Sequence, residues 1–337
     1  MPFDVVGLGL NATDVAIEVP HYPAFNSKVE FTSARWQAGG QVATALVVCQ
    51  RLGLRTKYIG RVGSDAFGQF QLESLRPEGI DLEDVQVVPD CPNQVAYIVI
   101  DQATGEHTIL WRRDPRLTMR PEELRRERLA GARLLHVDGH DTAAAAQAAR
   151  WAREAGLPVT VDVDNLYPDL DALLSATDYL ISSASFPGAY TEEADLFRAL
   201  EQIRCRHRQL KLVAATLGRE GVLGLEDDHF LYQPAYDLPC RDTTGAGDVF
   251  HGAFIYGLLQ GWPTSRILDF SNAMAGLNCQ AVGARGGIAT QAEAEKLMAS
   301  GRRHPPRWTQ LPAPSSAGVK GLVPPALSEV EGSGGEG

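Results

Sequence analysis

Residues 242–252 read Asp-Thr-Thr-Gly-Ala-Gly-Asp-Val-Phe-His-Gly. Gly245 and Gly247 flank the small residue Ala246, so successive backbone N–H groups can converge on an anion. The following run is apolar, with Phe250, Phe254 and Leu258 spaced four apart, and predicts a helix starting at this loop. Unpaired N–H groups and the positive dipole end suit such a start to phosphate oxygens. Asp248 stands there with two roles open to it. It can cap the helix, or it can accept the proton of a hydroxyl that attacks phosphorus. The dipole predicts a low pKa for its carboxyl, which serves a base if the proton moves late. No Gly-x-x-x-x-Gly-Lys-Ser/Thr run is present, which excludes a P-loop. Gly7 and Gly9 lack the third glycine and helix of a dinucleotide site.

A loop of this kind needs a rigid platform. Apolar runs at 5–10, 57–62, 134–137, 159–163, 179–182, 211–216 and 222–225 predict strands. Between them, 42–52, 67–78, 143–155 and 192–206 carry apolar residues at helical period, as Ala43, Leu46 and Val47 show. This alternation predicts an α/β fold with a mainly parallel sheet and helices on both faces. Two segments depart from it. Residues 14–36 are punctuated by Pro20 and Pro23, and 94–112 read as two strands around a turn at 101–105. They predict a small β-sheet lid, useful where water must be kept from a reacting group. The expected organisation is a core of 1–11, 37–93 and 114–302 with a lid of 12–36 and 94–113. A Pro/Gly-rich tail, 303–337, has the composition of a disordered segment.

Apolar residues make up 44% of the 337, enough for a large core, and no apolar run reaches membrane-spanning length. The first residues read as a strand and not as a signal peptide. Lysine and arginine total 31 against 42 acidic residues, a formal charge of -11 that disfavours nucleic acid as a partner. Five cysteines without Cys-x-x-Cys spacing predict reduced thiols in a cytoplasmic protein and no zinc site.

The 242–252 run resembles the C-terminal signature of the ribokinase-like (PfkB) carbohydrate kinases. Residues 39–53, Gly-Gly-Gln-Val-Ala-Thr-Ala-Leu-Val-Val-Cys-Gln-Arg-Leu-Gly, with 58–68, Tyr-Ile-Gly-Arg-Val-Gly-Ser-Asp-Ala-Phe-Gly, resemble the N-terminal one. The likeness extends from about residue 3 to about residue 300. It implies transfer of the terminal phosphate of ATP to a primary hydroxyl of a sugar or nucleoside. Asp248 would be the base, and Gly245, Ala246 and Gly247 the anion hole. Asp14 would bind sugar hydroxyls, and Gly39 and Gly40 would let the sugar approach the backbone. Thr44 stands where the family commonly has an asparagine, so the substrate must find another partner there. Asp138 and Asp164 follow predicted strands and are further candidates for the sugar pocket, with His140 read as a turn residue.

The segment Arg35-Trp-Gln-Ala-Gly-Gly is similar to ketohexokinases, and 283–288, Gly-Ala-Arg-Gly-Gly-Ile, to bacterial kinases of fructose or a sulfonated fructose. The resemblance therefore points to a ketohexose. Arg35, Arg61, Arg112 and Arg113 could lend cationic character near the pocket. Thr216, Gly218 and Gly221, with Arg219 beside them, resemble the nucleotide loop, and Gly283 and Gly286 would close the adenine side. Magnesium is implied, yet Ser183 and Phe186 replace the family's Asn-x-x-Glu, leaving Asp162 or Asp242 to help through solvent. Asp242 and Thr244 mark a candidate potassium site by the same likeness. The alternatives are a nucleoside kinase, with Trp36, Tyr97 and Trp111 as a stacking platform, and an inactive sugar- or nucleotide-binding protein. A lid with one apolar outer face predicts a homodimer.

Overall fold

A computed structural model describes residues 2–104 and 107–313. The chain opens with β1 (Val5–Leu8), β2 (Ala12–Val19), β3 (Ser33–Gly39), α1 (Gln41–Arg51), β4 (Thr56–Gly63) and α2 (Ala66–Leu75). Next come β5 (Val85–Val88), β6 (Val95–Asp101), β7 (His107–Arg112), β8 (Leu134–Asp138), α3 (Thr142–Glu154) and β9 (Val159–Val163). Then follow α4 (Leu170–Leu174), β10 (Tyr179–Ser183), α5 (Phe186–Thr191), α6 (Leu196–Arg206), β11 (Leu212–Thr216), β12 (Val222–Glu226) and β13 (His229–Gln233). Three helices, α7 (Ala246–Leu259), α8 (Thr264–Asn278) and α9 (Gln291–Ser300), complete the order.

The main sheet runs β13-β12-β11-β10-β9-β8-β1-β4-β5. It is parallel from β11 to β5, and β12 and β13 add antiparallel strands at one edge. Alternation along β1 splits the core. Val6 and Leu8 pack with Ala144, Ala145 and Ala148 of α3, while Val5 meets α1 and α7 on the other face. Helix α7 is buried almost all round, and Phe250 and Phe254 fill the space against Ile181, Leu212 and Val222. The predicted strands and helices are all present. The short edge strands β5 and β13 escaped prediction because four or five half-buried residues carry little periodic signal.

Strands β3-β2-β6-β7 form the separate lid sheet. Register decides what each lid face presents. Val15 pairs with Trp36 and Tyr97, and Tyr97 with Leu110, so these four share one face. Asp14, Ala16, Gln37, Ala96 and Ile98 lie on the other. Trp36, Tyr97 and Leu110 are 48%, 41% and 60% exposed, an apolar surface that α2 covers only at Trp36, through Phe67 and Phe70. The turn predicted at 101–105 falls partly outside the described residues.

The expectation of a loose tail from residue 303 needs correction. Residues 303–313 lie along the surface of the core, with Trp308 and Leu311 packed against it, and Arg303 forms an antiparallel bridge with Tyr236. Its guanidinium donates to Asp269 at 2.6 Å and to the Pro234 carbonyl at 2.9 Å. Trp308 packs edge-on against Phe197 and Tyr232, each 5.1 Å away. Proline-rich composition hid these side-chain anchors, because prolines forbid a ladder and not a docked strap. The remainder of the expected tail, 314–337, lies outside the described residues. Trp308→Ala is expected to destabilise the protein by about 1–3 kcal/mol, measurable by thermal melts.

Candidate active site

Helix α7 begins where the glycine loop ends. Its N-cap, Gly245, has φ 73°, a left-handed conformation that side chains resist. A Cβ on Gly245 would also meet the Cα of Ala284 at 2.5 Å, so the loop after α8 closes against this turn. Gly247 has nothing within 4 Å of where a Cβ would lie, and with Ala246 it lines a cavity of about 310 Å³. Thr216, Gly218, Arg219 and Gly221 line the same cavity, as do Asn272, Cys279 and His304. His304 belongs to the docked strap, so that segment forms part of the wall. Gly218 has φ 57° and open space beside it. A pocket of this size, lined by glycine backbone and apolar groups, fits a nucleotide.

Gly283 and Gly286 do not line it. The Gly283 N–H donates to Asp242 Oδ2 at 2.7 Å, and the space where its Cβ would lie is filled by the Gln37 side chain. The other Asp242 oxygen accepts from the Thr244 N–H at 2.9 Å. Asp242 thus fastens two loops together, and both its oxygens face backbone donors.

The α7 start also bears on the lid, where the Asp248 charge acts on Asp14 of β2. Asp14 is buried, and its Oδ2 occupies the space where a Cβ on Gly39 would lie. Gly40, at φ 94°, caps α1 and runs so close to Asn11 that a Cβ would collide with its backbone. Burial pushes the Asp14 carboxyl up to about 7, with the Asp248 charge adding to it. Asp248 is half-buried, and desolvation first, then Asp162, raises it to about 8, against the pull of Arg285. The expected low pKa is therefore corrected: burial among carboxylates outweighs the helix dipole.

Other expected residues take different positions. Asp138 is buried and accepts from the N–H groups of Leu10, at 2.6 Å, and His140, at 3.0 Å. It pins the end of β1. Asp164 is exposed and accepts from the Tyr167 hydroxyl at 2.6 Å. Arg61 is tied to Glu123 at 2.5 Å and Arg113 to Asp141 at 2.9 Å, so neither is free for the pocket. Arg35 and Arg112 are exposed on lid strands. Trp36 and Tyr97 lie on the lid face away from Asp14, whereas Trp111 pairs with Ala96 on the Asp14 side. Phe186 is buried and stacked on Tyr190 at 5.3 Å, so it cannot hold an ion. Asp162 is buried too, 3.2 Å from His251 Nε2. Among the described residues no group of three or more His, Cys, Asp or Glu side chains is arranged to hold a metal ion.

Two contributors went unassigned in the sequence. His251, one turn along α7 from Asp248, braces Asp162, and burial holds its imidazole down to about 3. Arg285 reaches under the lid. Its Nε donates to Thr44 Oγ1 at 3.1 Å, one terminal nitrogen to Ser74 Oγ at 3.1 Å, and the other to the Gly39 carbonyl at 2.8 Å. An arginine in a glycine-rich stretch was the available signal, but nothing in the spacing shows where it points.

A wide, mainly parallel sheet, a β lid and a glycine-capped helix start beside a cavity define an α/β protein of the ribokinase-like fold. Residues 4–291 match the pfkB family carbohydrate kinases, and the chain belongs to that family. It is 28% identical to an ATP-dependent ribose-1-phosphate kinase from Halopiger xanaduensis, over 81% of this chain and 90% of that one. A ribokinase from Arabidopsis thaliana is 29% identical, over 84% and 77% respectively. A crystal structure of a provisionally named ribokinase from Agrobacterium tumefaciens superposes with a TM-score of 0.82. It is 27% identical and covers 89% of this chain and 98% of its own. No described helix is long and apolar enough to cross a membrane.

Proposed function

We propose that this kinase transfers the γ-phosphoryl of ATP to a primary hydroxyl of a ketohexose of the fructose type. Asp248 takes the hydroxyl proton, and the N–H groups of 245–247 hold the charge that develops on the phosphoryl oxygens. The observation that carries this reading is the placement of the α7 start. Its glycine turn borders the nucleotide-sized cavity, while the Asp248 charge bears on Asp14 of the lid. ATP would lie along Thr216, Gly218 and Gly221 with its phosphates toward Gly247. Sugar hydroxyls would meet Asp14 and the backbone at Gly39 and Gly40. Asp138 and Asp164 would shape the surroundings more than contact the sugar. Thr44 already accepts from Arg285, which supports a substrate that does not rely on that position.

Magnesium would enter with the ATP phosphates and neutralise charge between them. The donor set fits an ion carried by the nucleotide, because no dedicated protein cage is present among the described residues. A potassium ion near Asp242 and Thr244 would stiffen the loop that Asp242 already ties. Five free cysteines support a reducing, cytoplasmic setting.

The test is an ATP-dependent screen with ADP release as readout, over fructose, other ketoses, ribose, ribose 1-phosphate, sulfonated analogues and nucleosides. Turnover of ribose or nucleosides alone overturns the ketohexose assignment. ATP and sugar binding without ADP release overturns catalysis altogether. Lid strands that bury Trp36, Tyr97 and Leu110 against a second copy would make a homodimer. Sedimentation should show a dimer at micromolar concentration and a monomer for Tyr97→Lys. A monomeric wild type rules that assembly out.

A further inference from the structure

We propose that Arg285 is a positioning residue of the transfer reaction, clamping the substrate loop at Gly39 and helix α1 at Thr44 to the loop that backs the anion hole. The role rests on the kinase reading given above. Its basis is geometric. The three guanidinium nitrogens donate to three different elements, at Thr44 of α1, Ser74 of α2 and the Gly39 carbonyl at the end of β3. The residue before it, Ala284, closes on Gly245, the cap of α7. Gly283, two residues before, donates to Asp242 and abuts Gln37 of the lid. Asn278 fixes the loop from behind, donating to the Ala284 carbonyl at 3.1 Å and accepting from the Gly287 N–H at 3.0 Å. One five-residue loop therefore touches the anion hole with one residue and the substrate side with the next.

The pattern of partners argues against a purely structural arginine. All three acceptors are neutral, and among the described residues no carboxylate lies within ion-pair distance of the guanidinium. Withdrawing an arginine from water without a paired carboxylate works against folding, and a neutral side chain would fill the site at less cost. The charge instead bears on Asp14 and Asp248. Asp248 is faced from the other elements by Asp162 and Asp164 at the end of β9, Asp138 of β8 and Asp14 of β2, all of one sign. Arg285 is the opposing charge in that set. It favours the ionised carboxylate that a base requires.

The experiment compares wild type, Arg285→Gln and Arg285→Lys with ATP and fructose or ribose, whichever the screen selects. Arg285→Gln is expected to lower kcat roughly 10- to 100-fold through misplacement of the reacting groups. The KM for ATP should stay within about twofold, since other residues line the nucleotide cavity. The acid limb of the kcat/KM profile should move to higher pH by about one unit, and Arg285→Lys should return it. Lysine should recover only part of kcat, because one ammonium cannot serve three spread acceptors. A wild-type kcat and limb in Arg285→Gln overturn the assignment. So does a fall in kcat with an unmoved limb and a lowered Tm, which marks a structural arginine. A wild type without turnover on any acceptor overturns the kinase reading, and this role with it.

Discussion

Asp248→Asn is expected to retain ATP binding and to lower turnover by at least about 100-fold. Asparagine keeps the size and the hydrogen-bonding shape at the α7 start but cannot take a proton. The nucleotide cavity is lined by other residues, so a nucleotide titration should be unchanged. Near-normal turnover would exclude Asp248 as the base and leave it an acidic residue of the first turn of α7. The pH dependence follows from its surroundings. Asp248 is raised from 3.8 to about 8, so the proton-accepting form is lost as pH falls. In the free enzyme kcat/KM should therefore decline below about pH 8. The same carboxyls set a stability trend with the opposite sense. Asp248 and Asp14 hold protons in the folded chain at pH values where an unfolded carboxyl has released them. Their contribution is present at low pH and lost as pH rises through about 7 to 8. Between pH 5 and 8 the substrate-free protein should melt at falling temperatures as pH rises, and Asp248→Asn should flatten the trend. A Tm that climbs steadily over this window in both proteins would contradict it.

Gly245→Ala is the second large effect. The substitution adds a methyl group at φ 73°, which costs about 1–2 kcal/mol in a left-handed conformation. It also drives that methyl into Ala284, whose Cα, Cβ and carbonyl oxygen all lie within 2.7 Å of the added atom. The turn must open, and on the proposed reading the N–H groups of 245–247 lose their aim at the phosphoryl oxygens. Removal of one preorganised donor costs roughly 10²–10³-fold in kcat, which is the loss expected here. Steady-state kinetics and a melt together check the prediction. A variant with normal turnover would show that the backbone at this turn does not hold the phosphoryl oxygens.

Much of this was legible in the sequence because strong periodic signals and short motifs carried it. Apolar runs alternating with 3.6-period stretches gave the sheet and its covering helices, and the Pro20 and Pro23 punctuation set the lid apart. The turn at Gly245 was legible because a cap that tolerates no side chain leaves a compositional trace. Other features depend on distance across the chain. Arg285 is 241 residues from Thr44, and no local pattern joins them. The raised carboxyl of Asp248 comes first from burial and then from Asp162, Asp164 and Asp138 on other elements, whereas the helix dipole was the visible local influence. Asp138 and Asp164 were expected to line the sugar pocket as strand-end carboxylates. Backbone donors engage Asp138 and the Tyr167 hydroxyl engages Asp164. The docked strap from 303 was missed because its prolines suggest disorder, while its hold is a few long side chains.

The lid strands present two faces by simple alternation, with Asp14 and Ala16 inward and Val15 outward on β2, and Ile98 inward and Tyr97 outward on β6. Neighbouring codons in these strands therefore answer to different selective demands. Point substitutions at inward positions can drift toward a new acceptor while the outward positions keep their own surface, and the reverse holds equally. A change of strand length has no such freedom. Gain or loss of one residue in β2 would turn every later side chain to the opposite face, exposing the acceptor side and burying the outer one. Divergence among such lids should accordingly accumulate as replacements, with insertions confined to the connections between strands.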